Sequence, residues 1–386
     1  MSQLTPSVAW LNLTHKPTRL MLLLSGIVFA VILMFMFTGF KNALYDSQLQ
    51  VIEHLKGDVF IVNQRRVSLG IPIQIPRQVL YQAQGYEGVK SASALYFGEA
   101  FWKNPETKLV RLARVLAFNP EIPLFDFPEL QNVSDLRLPN TAWVDRLARP
   151  ELGSITPGTV TELSDRKIKV VGNFTLGNDF ASLNGNLLMS EANFQRYFSS
   201  RDPKEGDRSL SDIDIAVLET EPKFKAEAIA TVLQQQLPKN LRIMTRPQLE
   251  QWERVYWEES SNIGFVFGIL TIMGFVIGVI LCYQIIYADV TDNLTQYATL
   301  RAMGYRNSFL FKIVFQEALL LGVMGFIPGV LLSYGLYEIA KGATGLVFRM
   351  SFERSAQLFG FTVIMCFLSG LAALFKVQQS DPADIF

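Results

Sequence analysis

Four long stretches of this chain carry almost no charge, and they fix most of what it can fold into. Leu20–Phe40 (LMLLLSGIVFAVILMFMFTGF) runs 21 residues without an ionisable group, Ser260–Ala288 runs 29, and Ser355–Phe375 another 21. Ile313–Tyr337 is interrupted only by Glu317. About 20 apolar residues in a helix cross a bilayer core, and in hydrocarbon a spanning segment must satisfy its own backbone hydrogen bonds. The pattern predicts transmembrane helices at 20–40, 260–288, 313–337 and 355–375. A cleaved signal peptide is the rival reading of the first run. That run exceeds the roughly 7–15-residue core of such peptides, and no small-residue cleavage pattern follows it.

Between the first and second runs the character changes. Lys41–Glu259 holds short apolar runs bounded by Gly, Pro and Asn, which read as strands: Asp58–Val62 (DVFIV), Lys167–Val171 (KIKVV), Gly185–Met189 and Asp212–Leu218 (DIDIAVL). Helical patterns lie between them at Pro76–Gly85, Ser190–Phe198 and Lys223–Leu237, the second with Ser190 placed to cap its start. The expected fold is therefore a membrane protein. It has four transmembrane helices, with a large α+β extracytoplasmic domain at 41–259 between the first and second. Residues 100–165, rich in Pro and loop signals, suggest an inserted lobe within about 100–205. The basic residues of Val110–Val115 (VRLARV) are expected on a solvated strand face.

Charge sets the orientation. Segments 1–19, 289–312 and 376–386 carry Lys16, Arg19, Arg301, Arg306, Lys312 and Lys376, against Lys341, Arg349 and Arg354 in the short loop 338–354. The excess of basic residues places both termini and 289–312 in the cytoplasm. Lys+Arg and Asp+Glu are both 35, which gives no reason to expect nucleic acid. Only 18% of residues are charged, below the average of about 25% for soluble chains.

Catalytic patterns are missing. There is no G-x-x-x-x-G-K-[ST]; the nearest stretch, Gly85–Ser91 (GYEGVKS), has the wrong spacing. G-x-S-x-G and H-E-x-x-H are absent too, and the two histidines, His15 and His54, are far apart. Cys282 and Cys366 both fall in apolar runs and read as small buried residues. The chain is expected to be non-catalytic, with no cofactor or metal of its own.

Three features remain as candidates. Gly264-x-x-x-Gly268 and Gly274-x-x-x-Gly278 would allow close helix approach, as a packing or dimer face or as ordinary membrane-helix glycine. Glu317 is an intramembrane carboxylate near the cytoplasmic end of its span, either reaching the interface or tethering the preceding segment. In 289–312 (DVTDNLTQYATLRAMGYRNSFLFK), Leu294, Tyr297, Ala298 and Ala302 share one helical side. Leu300 and Met303 widen that apolar surface, and Gly304 suits a helix stop. Such a helix could lie on lipid with Arg301 at headgroup level, or dock in a groove on a partner.

Here the residues resemble a known family. Gln296–Gly304 (QYATLRAMG) is similar to the cytoplasmic coupling motif of MacB/FtsX-like (type VII) ABC transporter permeases, E-I-G-x-L-R-A-[LM]-G. Phe315–Leu320 resembles the start of their third span, and Asp381-Pro382-Ala383 their chain ending. WLNLTHKPTRL, ILMFMFTGFKNALYDS and YATLRAMGY look most like the glycolipid-exporting branch found in cyanobacteria. Gln296 and Asn293 depart from the Glu and Arg of many relatives, which puts a salt bridge to the ATPase at those points in doubt.

The resemblance implies a homodimeric inner-membrane permease working with two copies of a separate ABC ATPase that binds ATP and Mg. It implies a periplasmic membrane-fusion adaptor and, through it, an outer-membrane TolC-like channel, with membrane lipid (glycolipid) as cargo moved by mechanotransmission. Leu294, Tyr297, Ala298, Leu300, Arg301, Ala302, Met303 and Gly304 would form the ATPase-coupling surface, supported by Glu317, Asp381 and Pro382. A lipoprotein-releasing permease of the Lol type and an FtsX-like regulator of a cell-wall hydrolase are the alternatives.

Overall fold

The computed structural model describes residues 17–131, 133–179, 182–198, 211–292 and 307–378. The chain divides into two compact units. One comprises Met1–Asn42, Asn262–Gly342 and Phe348–Phe386; the other comprises Ala43–Ser261 with Ala343–Val347. The first helix, α1 (Pro17–His54), contributes residues to both.

The second unit is built on one nine-stranded sheet. Its strands are β1 (Val59–Asn63), β3 (Val89–Lys103), β4 (Val110–Phe118), β5 (Thr141–Asp145), β6 (Val160–Leu163), β7 (Arg166–Phe174), β8 (Asn186–Ser190), β10 (Ile215–Thr220) and β11 (Leu241–Thr245). They run in the order β11-β1-β10-β3-β4-β8-β5-β7-β6, while β2 (Ile75–Pro76) pairs separately with β9 (Asp212–Ile213). β4–β8 and β5–β7 are parallel; the other ladders are antiparallel. The long β3 is the shared strand: residues 89–95 pair with β10 and residues 96–103 with β4. Strands β4 to β8, from the region expected as an inserted lobe, thus continue the sheet from the second half of β3.

Both faces of the sheet are covered, which is why its strands read as apolar runs rather than clean alternations. Val59 and Ile61 of β1 enter one core, Phe60 and Val62 the other. The first core takes in residues of α2 (Gln78–Gln84), α3 (Glu191–Phe198) and α4 (Ala226–Gln236). The second gathers Leu49 and Ile52 of α1, Leu55 just after it, Leu249 of α5 (Arg246–Ser260) and the aromatic loop residues Phe125 and Phe127. Ser190 caps α3 as expected, its Oγ accepting the Asn193 N–H at 3.2 Å. α5 begins with a capping box of Thr245 and Gln248, residues spaced in the sequence as such a box requires.

α1 continues past the apolar run, to His54. Its last turns bury Leu49, Val51 and Ile52, Leu55 is buried just beyond them, and the Arg246 guanidinium donates to the carbonyls of Ile52 (2.7 Å), Leu55 and Gly57 (2.7 Å). A cation at orphaned C-terminal carbonyls is a favourable helix stop. Asp46 on the same stretch pairs with Arg254 of α5 at 3.1 Å.

The first unit is helical. Four helices among the described residues are long and apolar enough to cross a bilayer: the run within α1, then α6 (Ile263–Asp292), α7 (Asn307–Thr344) and α8 (Phe352–Gln378). Their shared core includes Ile27, Val31, Met34 and Phe35 of α1, Cys282 and Ile286 of α6, Leu321 and Tyr337 of α7, and Met365 and Cys366 of α8. Their outward surfaces are apolar as well, Phe265, Ile272, Leu331 and Ile364 among them. Apolar residues inside and out are what a helix bundle in lipid requires.

Candidate functional site

The predicted coupling surface, Leu294, Tyr297, Ala298, Leu300, Arg301, Ala302, Met303 and Gly304, lies outside the described residues, as do Asn293, Gln296, Asp381 and Pro382. What is described is the frame around it. α6 ends at Asp292 and α7 begins at Asn307. Glu317 lies on α7, with its side chain outside the described set.

The four predicted packing glycines all lie on α6, in different surroundings. A Cβ at Gly278 would collide with the Met365 sulfur of α8 and come within 2.7 Å of the Ala30 Cβ of α1. At Gly274 it would make ordinary contact with Leu33 at 3.5 Å, and at Gly268 it would meet nothing within 4 Å. Gly264 sits in the first turn of α6. The α6–α8 contact is tied further by Ser369, whose hydroxyl lies 2.9 Å from the Val279 carbonyl, and by Phe275 against Phe361.

A second close contact joins α1 to α7. A Cβ at Gly325 would lie 2.5 Å from Ile27 and one at Gly329 2.6 Å from Val31. Farther along, the Tyr337 hydroxyl donates to the Phe35 carbonyl at 2.7 Å, with the tyrosine ring over Gly39. Residues 27, 31, 35 and 39 recur every four along α1, one ridge of its surface. The spacing Gly325-x-x-x-Gly329 is the same small-residue signal that marks α6, but in the sequence it is overshadowed by Pro328 between the two glycines.

The sheet domain holds two buried charge networks. In the first, Arg66 and Asp214 are fully buried, with Nη1 3.7 Å from Oδ1. Arg66 also donates to the carbonyls of Ser68 (3.1 Å), Leu69 (2.5 Å) and Asp214 (2.9 Å), and the second Asp214 oxygen takes the Phe97 N–H at 2.9 Å. Next to it, Glu253 of α5 accepts the Ser68 hydroxyl, the Leu69 N–H and the Trp257 indole N–H, each at 2.8 Å. Burial pushes the Glu253 carboxyl up from its ordinary value, although the three donors and Arg66 oppose the shift.

In the second network, Arg114 bonds Asp179 at 2.8 and 3.1 Å and Asn186 at 2.8 Å. Asn186 in turn donates to Asp145 at 2.9 Å, and Asp145 also accepts the N–H groups of Leu147, Leu176 and Gly177. This corrects the expectation for Val110–Val115. The outer end of that strand is exposed at Val110, whereas Arg114 is buried because Asp179 and Asn186 replace its water. These carboxylates are occupied in holding loops to the sheet, the role expected of buried charges that have partners. Among the described residues no three His, Cys, Asp or Glu side chains converge in a metal-ligand grouping.

The chain thus combines four long apolar helices with a large strand-rich domain that lies in sequence between the first two of them. Residues 268–382, from α6 through α8, match the FtsX-like permease C-terminal family, and the match includes 293–306. No curated protein matches the chain. Among solved structures, the chain is similar to the periplasmic region of MacB from Actinobacillus actinomycetemcomitans, with 13% identity over 53% of this chain and 96% of that one and a TM-score of 0.36. It is also similar to the extracellular domain of the noncanonic ABC-type transporter YknZ from Gram-positive bacteria, with 11% identity, 49% and 98% coverage, and a TM-score of 0.34.

Proposed function

We propose that this chain is the permease subunit of an ABC transporter of the MacB/FtsX-like kind. The observation that carries the reading is the FtsX-like permease match over 268–382, which includes the residues that resemble the coupling motif. In this reading α1, α6, α7 and α8 cross the inner membrane and the sheet domain lies on the outer side. The segment 294–304 docks on a partner ABC ATPase, which binds ATP and Mg. Leu294, Tyr297, Leu300 and Met303 supply the apolar contact and Arg301 its charge; Ala298, Ala302 and Gly304 keep the surface close. Two copies of the chain pair with two ATPases. Nucleotide-driven closure is transmitted through the helices to the outer domain, where a periplasmic adaptor and a TolC-like channel receive the cargo. The stretches most like DevC, the permease of the cyanobacterial DevBCA exporter, favour glycolipid as that cargo.

The test is to replace Tyr297 and Leu300 together with Asp in the full chain. Co-purification with the ATPase and lipid export should both fall at least about tenfold, since one buried charge costs more than a typical apolar contact contributes. Undiminished assembly and export would refute the assignment. Lipoprotein release without any adaptor, or activation of a cell-wall hydrolase with no cargo, would move the reading to the other branches of the family.

A further inference from the structure

In the sheet domain the middle of β3 has one free edge. Residues 89–95 pair with β10, whose last partner is Leu95, and the next strand contact on that edge is the bridge of Trp102 to Leu163 of β6. Within the gap, the Asp214 carboxylate takes the Phe97 N–H, and Ser164 takes both backbone groups of Phe101 through its hydroxyl (3.2 Å) and its N–H (2.8 Å). Glu99 lies between them. Its cross-strand neighbour is Arg114, whose own N–H turns away from β3 to the Gly185 carbonyl at 3.0 Å, so this is a non-hydrogen-bonded pair. The Glu99 N–H and C=O therefore point outward from the sheet, with no partner among the described residues.

A cavity of about 290 Å³ opens at the same place, lined by Pro72, Phe97, Gly98, Glu99, Arg114 and Phe198. The lining is apolar except for two charges, and these are not equivalent. Arg114 is already matched by Asp179 and Asn186, whereas the exposed Glu99 carboxylate has no ion-pair partner among the described residues.

We infer that this notch receives an extended segment of a partner protein by strand addition, with a basic residue beside an apolar one. One residue of that segment exchanges two backbone hydrogen bonds with Glu99 and sets its cation beside the Glu99 carboxylate, while its apolar neighbour, on the opposite face, enters the pocket beside Gly98 and Phe198. Four residues of β3, from Phe97 to Ala100, span about 14 Å at about 3.4 Å per residue, room for a short strand and no more. Backbone bonds supply affinity in such additions, and pockets for alternate side chains supply specificity.

The probes are end-blocked pentapeptides Thr-Val-Lys-Val-Thr and Thr-Val-Glu-Val-Thr, and the lysine peptide N-methylated along its backbone. Each is titrated by fluorescence anisotropy against the full-length protein in nanodiscs. The lysine peptide should bind about tenfold tighter than the glutamate peptide, and Glu99→Lys, an exposed change, should reverse that order. N-methylation should remove binding. Equal binding of both charges, tolerance of the methylated backbone, or no binding by any peptide up to about 1 mM, the weakest affinity a specific contact of this size would show, would overturn the inference. A photo-crosslinker in place of the exposed Phe101 that captures only a second copy of this chain, in membranes containing its partners, would overturn it too.

Discussion

Replacing Glu253 with leucine should uncouple the 66–72 loop from α5. The carboxylate accepts three donors, from Ser68, Leu69 and Trp257, each at 2.8 Å, and leucine can accept none of them. A buried donor left unmatched costs about 1–3 kcal/mol. Trp257 is only half-buried and recovers water, so the lower end applies to it, and relief of the desolvated carboxylate offsets part of the sum. The net loss expected is about 3 kcal/mol. Glu253→Gln keeps one acceptor oxygen but turns an amide N–H toward the Leu69 N–H, for a loss of about 1–2 kcal/mol.

The pH dependence has a definite sign. Because burial raises the folded carboxyl above its unfolded value of about 4.3, protonation favours the folded domain. That contribution is fully present below the unfolded value and is lost as pH rises through the raised folded one. The stability gap between wild type and Glu253→Gln should therefore widen as pH falls through this window. Pulse proteolysis of the full chain in urea measures it, and 3 kcal/mol corresponds to a midpoint shift of about 1 M or more. A leucine variant with the wild-type midpoint, or a gap that narrows on acidification, would refute the reasoning.

Other perturbations discriminate as sharply. Arg114→Met leaves Asp179 buried without its cation and should cost about 3–5 kcal/mol, most of it recovered in the double variant with Asp179→Asn; a thermal double-mutant cycle reads the coupling. Gly278→Leu should destabilise the α6–α8 contact by about 1–3 kcal/mol while Gly268→Leu leaves it unchanged, as measured by denaturation in detergent. Tyr337→Phe removes a buried hydrogen bond to the Phe35 carbonyl and should cost about 1 kcal/mol, visible as faster disulfide trapping between cysteines placed on α1 and α7.

The sheet domain was legible where local pattern and tertiary role agree. DVFIV and DIDIAVL are apolar runs because β1 and β10 are buried on both faces, and they became strands. Asp214 interrupts the second run, ending β9 and separating it from β10, because its carboxylate turns inward to Arg66 and Phe97. That could not be read from spacing: Arg66 and Asp214 are 148 positions apart, and each alone looks like a solvated surface residue. The same holds for Arg114 and Asp179. Long-range ion pairs leave no periodic trace, so the charged residues that hold the loops of the sheet domain were the part of the molecule local reading missed.

In the helix bundle the signal was visible but pointed to only part of the answer. Glycines four apart state that a helix can be approached closely, and they do not state from which side or by which neighbour. On α6 the pattern at 274 and 278 meets α1 and α8, while Gly268 of the earlier pair meets nothing within 4 Å. On α7 the pair at 325 and 329 flanks Pro328, and taken alone the proline predicts a weak or kinked turn, since it removes one N–H from the ladder at a cost of about 3 kcal/mol. α7 nevertheless runs unbroken from Asn307 to Thr344. The two glycines explain how: with no side chains there, Ile27 and Val31 of α1 pack directly on the weakened turn, and the Tyr337 hydroxyl anchors the same ridge farther along. The point where α7 is least able to hold itself is thus a point where α1 holds it. Gly325→Ala should consequently loosen α7 around Pro328 more than an alanine at Gly335, where nothing lies within 4 Å, and the difference should disappear when Ile27 is shortened to alanine.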